Sequence, residues 1–153
     1  MSLKLNVSLR RWCHSMVLVG NNEQLVVFGG WKYSTQVNVP HEFYNDVYIF
    51  HIRASTWVQI ETFGEPPRPR CQTPCWHLPS PHCHPSFSSS SGYLVLFGGA
   101  CHSNTHGAVD NHHNFEMESG EVMDLEDMFI LDLDTHTWLP FSFTFPRYAD
   151  LNC

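Results

Sequence analysis

Two stretches of this chain repeat one another in register, and no other feature restricts its fold as tightly. Leu25-Val26-Val27-Phe28-Gly29-Gly30 corresponds to Leu94-Val95-Leu96-Phe97-Gly98-Gly99. Downstream, the segment from Asp46 to Trp57 corresponds to that from Asp127 to Trp138. Both copies run 11 residues from Asp to Trp, and 9 from the aromatic residue (Tyr48 or Phe129) to the Trp. Two ungapped windows that keep a common register define an internal repeat. Repeats of this kind bury their apolar faces against one another rather than around a single irregular core.

The residues within the repeat give each piece a local structure. The apolar runs that end in Phe-Gly-Gly are expected to be buried strands of four to six residues. Their two glycines permit positive φ, or a close backbone approach where side chains would clash. Tyr48-Ile-Phe-His-Ile52 and Phe129-Ile-Leu-Asp-Leu133 are β-rich. Polar turns follow at Arg53–Thr56 and Asp134–Thr137, and return strands begin at Trp57 and Trp138. Asn45-Asp46 and Glu126-Asp127 are expected just before a strand, the Asp accepting local backbone hydrogen bonds in a turn. Short strands separated by Gly and Pro, with no convincing amphipathic helix, indicate an all-β architecture.

The full pattern is an apolar run, Phe-Gly-Gly, a variable loop, Asn45-Asp46-Val47-Tyr48, nine residues to Trp57, then Pro66-Pro67-Arg68-Pro69-Arg70. It resembles the kelch repeat. Arg11-Trp12-Cys13-His14-Ser15 before Met16-Val-Leu-Val19 resembles that family's Arg-x-x-His-Ser strand, and Pro146-Arg147-Tyr148 looks like the opening of a further unit. The resemblance implies a β-propeller whose repeats each build a four-stranded blade. The expected fold is all-β, about two kelch-type four-stranded propeller blades of an incomplete β-propeller. Residues 11–70 form the first repeat and 71–93 a Cys/His/Pro/Ser-rich insertion without clear strand period. Residues 94–147 form the second repeat, with a long acidic, His-rich loop at 100–126. Gly29, Gly30, Asp46, Tyr48 and Trp57, with Gly98, Gly99, Asp127, Phe129 and Trp138, are the structural positions of the repeat. Two repeats do not close a propeller of four to eight blades. The expectation is a slice of a larger propeller, or a chain that completes the ring by self-assembly or with additional blades.

Charge narrows the partners. The net charge is −7, with residues 1–70 at +2 (seven Lys/Arg, five Asp/Glu) and residues 71–153 at −9 (one Arg, ten acids). A phosphate backbone is held by Lys and Arg, so nucleic acid and anionic membranes are not expected partners. No run approaches the roughly 18 apolar residues that span a bilayer, and the N-terminal residues lack a signal peptide's apolar stretch. The six cysteines therefore read as reduced thiols in a cytoplasmic or nuclear protein.

Two clusters carry the look of metal chemistry. Cys71, Cys75 and His77, followed by His82, Cys83 and His84, offer zinc's preferred ligands, but without a familiar C-x2-C spacing and on a Pro-stiffened segment. His102, His106, Asp110, His112 and His113 could ligate a divalent ion, but a solvated acidic loop is the favoured account of them. No hydrolase or phosphate-loop signature occurs, and Cys13-His14, being adjacent, point to opposite faces of a strand. No catalytic residue, metal site or cofactor is therefore expected. Trp31, Tyr33, Phe43 and Tyr44, read as lying in the first inter-strand loop beside Lys32 and Glu42, are the expected anchors for a protein partner, or else pack beneath that loop. The expected function is a non-catalytic protein-interaction module, an adaptor or scaffold by analogy with kelch proteins. The alternatives are a metal-binding protein that uses the Cys/His segments and a propeller fragment without a function of its own.

Overall fold

The structure is a computed structural model and describes residues 10–20, 23–32, 42–79, 92–102, 122–140 and 143–144. These residues form nine strands, and no helix occurs among them. Sheet 1 is an antiparallel meander of β1 (Ser15–Val19), β2 (Gln24–Lys32), β3 (Glu42–His51) and β4 (Thr56–Ile60). Sheet 2 repeats it with β5 (Cys75–Leu78), β6 (Tyr93–His102), β7 (Val122–Asp132) and β8 (Thr137–Trp138). A short β9 (Phe143–Thr144) also pairs with β7. β8 meets Leu131 and Asp132, and β9 meets Asp127 and Met128, so the two occupy one edge of β7 in succession. Pro140 stands between them, and its missing N–H cannot continue the ladder.

Cys75–Leu78, inside the expected insertion at 71–93, is a strand. Ser15 faces Phe28 in sheet 1, and the backbone N–H of Phe97 donates to the carbonyl of Pro74 in sheet 2. Ser15 and Pro74 each lie four residues beyond an arginine, Arg11 or Arg70. β5 is thus the counterpart of β1. Its four residues are too few to display an alternation, and Pro74 and Pro79 beside it conceal the signal.

The Phe-Gly-Gly sequence places a bulge in each sheet. Phe28 pairs with Val47 and Gly30 with Tyr44, so Gly29 alone faces both Asn45 and Asp46; Gly98 likewise faces Glu126 and Asp127. A bulge re-aims the side chains on the longer strand. Asp46 and Asp127 accordingly lie inside β3 and β7, not in turns ahead of them. Each carboxylate receives an arginine instead of local backbone N–H groups. The same extension carries Trp31, Lys32, Phe43 and Tyr44 out of the expected loop and into β2 and β3.

At Gly29 φ is +62°, and an added Cβ would stand 2.7 Å from the carbonyl oxygen of Arg70. At Gly30 φ is +95°, a region closed to other residues, and a Cβ would stand 2.7 Å from the carbonyl oxygen of Trp12. These glycines let the chain entering each unit run directly against the bulge.

The core lies between the sheets. Val19, Val26, Phe28, Val47 and Ile49 of sheet 1 pack against Leu94, Leu96, Leu131, Leu133 and Trp138 of the second unit. Phe28 meets the Trp138 indole edge-on at 5.9 Å between ring centroids. Backbone bonds sew the seam: Arg70 N donates to Tyr44 O, Gly30 N to Arg70 O and Gln72 N to Cys13 O. Ser15 Oγ donates to Thr73 O. At the far edge, Phe63 N donates to His136 O and Trp138 N donates to Phe63 O, which docks the chain leaving sheet 1 onto sheet 2.

Candidate functional site

The most ordered polar geometry is a pair of equivalent arginine clamps. Arg70 donates from Nη1 to Asp127 Oδ1 at 2.5 Å and from Nη2 to Oδ2 at 2.9 Å, while Nη1 also reaches Gly98 O at 3.0 Å. Arg11 repeats the set on Asp46 at 2.5 and 3.0 Å and on Gly29 O at 3.0 Å. The guanidinium of Arg70 lies over the Phe129 ring, and that of Arg11 over the rings of Tyr44 and Tyr48. A planar bidentate fork is the strongest form of such a contact. Both guanidiniums commit their Nη groups to the carboxylate and the bulge carbonyl; Arg70 Nε also donates to Arg68 O, whereas the buried Arg11 Nε has no hydrogen-bond partner, and the clamps are structural.

Of the expected partner anchors, Phe43 is buried with Cys71 and Ala100 beneath Trp31, whose ring stacks on it with centroids 6.3 Å apart. Trp31 is half-buried. Tyr44 is half-buried and donates from its hydroxyl to Glu42 Oε2 at 2.6 Å. Burial first, and then that bond, push its phenol well above the ordinary range. Burial also raises the Tyr48 phenol, whose hydroxyl donates to Gln59. Lys32 lies 3.5 Å from Glu42 at the rim. Tyr33 lies outside the described residues. Trp12 joins this end of the sheet: two backbone bonds tie it to Trp31, at 2.7 and 3.0 Å, and its side chain is 66% exposed. Trp12 is not among the expected anchors, because the repeat places Cys71, not an aromatic residue, at its counterpart.

Among the described residues no group of three or more His, Cys, Asp or Glu is arranged to hold a metal ion. His82, Cys83, His84, His106, Asp110, His112 and His113 lie outside them. Cys71 and Cys75 are separated in role: Cys71 is buried in the Phe43 cluster, whereas Cys75 packs against the inter-sheet core from β5. His77 shares β5 with Cys75. Cys71 neighbours Cys13 and Cys101, and burial chiefly, then those two sulfurs, push its thiol up to about 11. Burial raises Cys75 as well, against the lowering effect of a bond with the Met16 backbone.

Cys71 therefore holds a thiolate fraction on the order of one in a thousand at pH 8, while Cys13 is exposed. Alkylation of the folded protein with iodoacetamide at pH 8, read by mass spectrometry, is expected to modify Cys13 at least about tenfold faster than Cys71. The folded state keeps the Cys71 proton to about 11, and the unfolded thiol releases it near 9.0. Stability accordingly falls as pH rises through that window. Equal alkylation rates would show that Cys71 is neither buried nor protonated as described.

The large apolar side chains left uncovered are Trp12, Met16, Leu18, Ile52, Trp57, Val58, Phe63, Trp76 and Leu78. They lie mostly on the two outer sheet faces and edge strands. No helix among the described residues is long and apolar enough to cross a membrane.

No family model matches the chain. Acyl-CoA-binding domain-containing protein 5 of Arabidopsis thaliana is 26% identical over 130 residues, a stretch covering 85% of this chain. The chain spans 14% of the length of that curated relative. A solved structure of YjhT resembles it with a TM-score of 0.55 at 16% identity, covering 90% of this chain and 38% of that one. That likeness is one of fold: antiparallel all-β sheets.

Proposed function

We propose that this chain is a non-catalytic protein-interaction module built from two kelch-type blades of a β-propeller, and that it acts as an adaptor or scaffold. The observation that carries the reading is the set of large apolar side chains held uncovered on a frame braced by the two Arg–Asp clamps. Contiguous exposed apolar surface on a rigid frame marks an interaction site. The end of sheet 1 that carries Trp31 and Trp12, rimmed by Lys32 and Glu42, has the aromatic and charged make-up of a binding hot spot. The kelch assignment rests on the repeated Phe-Gly-Gly bulge, the Asp-to-Trp spacing and the Arg–Asp clamps.

A photo-crosslinking amino acid at position 31, compared with one at position 55 in the β3–β4 turn at the opposite end, tests this surface. The expected result in cells is a discrete protein adduct from position 31 that is lost when Trp12→Ser is added, with none from position 55. Identical adduct patterns from both positions, or adducts indifferent to Trp12→Ser, would overturn the assignment of the partner to this end.

A further inference from the structure

The two sheets do not pack through equivalent faces. Sheet 1 contributes Val26, Phe28, Val47 and Ile49 to the interface. Their counterparts in sheet 2, by repeat register, are Val95, Phe97, Met128 and Ile130. All four lie on the opposite, outer face of sheet 2, where they are half-buried. Sheet 2 contributes Leu94, Leu96, Leu131 and Trp138, whose counterparts Leu25, Val27, Phe50 and Trp57 lie on the outer face of sheet 1. Successive strand residues alternate faces, so this assignment follows from the ladder register alone.

Burial follows the same inversion at several positions, although Val27 and Tyr48 on the outer face of sheet 1 are themselves buried. Trp138 is 2% exposed and Trp57 36%, although they hold one repeat position; Leu133 is 4% exposed and Ile52 38%. On the first strand of each unit, Val19 is 2% exposed while its counterpart Leu78 is 53%. Met16 and Leu18 are uncovered on the outer face of sheet 1, and Trp76 and Leu78 on the outer face of sheet 2. Each open face thus carries the apolar positions that its counterpart buries, and the two open faces are the two halves of the existing interface.

From this we infer that a second copy of this chain docks head to tail. The outer face of sheet 1 in one copy packs on the outer face of sheet 2 in the next, continuing the sheet 1–sheet 2 interface between molecules. Such a contact is heterologous, and it closes into a ring when the rotation per unit permits. A ring of roughly four to eight sheets would hold two to four chains. Charge favours this order over like-with-like pairing. Residues 1–70 carry +2 and residues 71–153 carry −9, so sheet 2 against sheet 2 would oppose two acidic halves. The inference names one partner within the proposed interaction function. Crosslinking at position 31 reads the strand end, whereas assembly reads the sheet faces, so either can fail alone.

Sedimentation velocity on the whole chain up to about 100 µM, a range that detects weak interfaces, is the test. The expected result is a discrete species of two to four chains. Met16→Asp/Leu18→Asp blocks one face and Trp76→Asp/Leu78→Asp the other; each variant alone is expected to be monomeric, and an equimolar mixture is expected to give a one-to-one dimer. A wild-type chain that stays monomeric throughout, a single-face variant that still dimerises alone, or a mixture that does not pair would each overturn the inference. Far-UV circular dichroism checks that the variants fold. Should an Asp pair melt early, Leu18→Ser and Leu78→Ser replace it, and the wild-type result decides in any case.

Discussion

Arg70→Met is expected to lower unfolding free energy by about 3–5 kcal/mol, the loss typical when one partner of a buried ion pair is removed. The Arg70 side chain is wholly buried and the Asp127 side chain 21% exposed, so the carboxylate left behind is largely desolvated. Gly98 O also loses its donor. Asp127→Leu alone should cost a similar amount, for it strands the guanidinium. The double variant Arg70→Met/Asp127→Leu removes both charges. It is expected to cost only about 1–3 kcal/mol, the penalty of an unpaired buried carbonyl. Urea titration followed by tryptophan fluorescence measures all three. Additive losses in the double variant would show that the pair does not act as a unit, and that the arginine contributes only packing.

That clamp also marks where the sequence was readable. The repeat register, the strands ending in Phe-Gly-Gly, the polar turns at Arg53–Thr56 and Asp134–Thr137 and the all-β class follow from local apolar runs and turn residues. The Asp134 and Thr135 N–H groups do bond Asp132, as a polar turn requires. The destination of Asp46 and Asp127 was not readable, because their partners lie 35 and 57 residues away in sequence. A bulge that turns a carboxylate towards a distant arginine leaves no local signature beyond the two glycines. β5 was hidden for a related reason: with four residues between prolines it has no period to detect, and only its alignment with β1 through Arg70 reveals it. Among the candidate anchors, sequence could name Trp31 and Phe43 as aromatic but not separate them. Their cross-strand pairing puts one ring on top of the other, leaving Phe43 buried and Trp31 half-covered. Trp12 and the open faces became visible only once the sheets were stacked, since exposure there depends on which side of each strand meets the neighbour.

Trp138→Ala and Trp57→Ala are expected to differ in cost although the residues hold one place in the repeat. Trp138 is buried between Phe28 and Phe129, with ring centroids at 5.9 and 6.2 Å, in the interface that joins the sheets. Its truncation removes the largest side chain of the core and opens a cavity, a loss of about 3–5 kcal/mol. Trp57 stands on the outer face of sheet 1, beside Phe50 at 4.7 Å, and the monomer covers it on one side only. Its truncation is expected to cost the monomer about 1–1.5 kcal/mol, the value of one exposed aromatic pair with its partly buried area. The comparison reads the asymmetry of the stack, because the two residues hold one repeat position after the same polar turn, opposite Phe50 in one sheet and Leu131 in the other. Chemical denaturation of dilute protein, where any association is dissociated, should give a Trp138→Ala loss at least twice that of Trp57→Ala. Raising the protein concentration should then narrow the gap, since an outer face covered by a second copy gives Trp57 the surroundings that Trp138 already has. Equal losses in dilute solution would mean that the two sheets do not stack through the faces described.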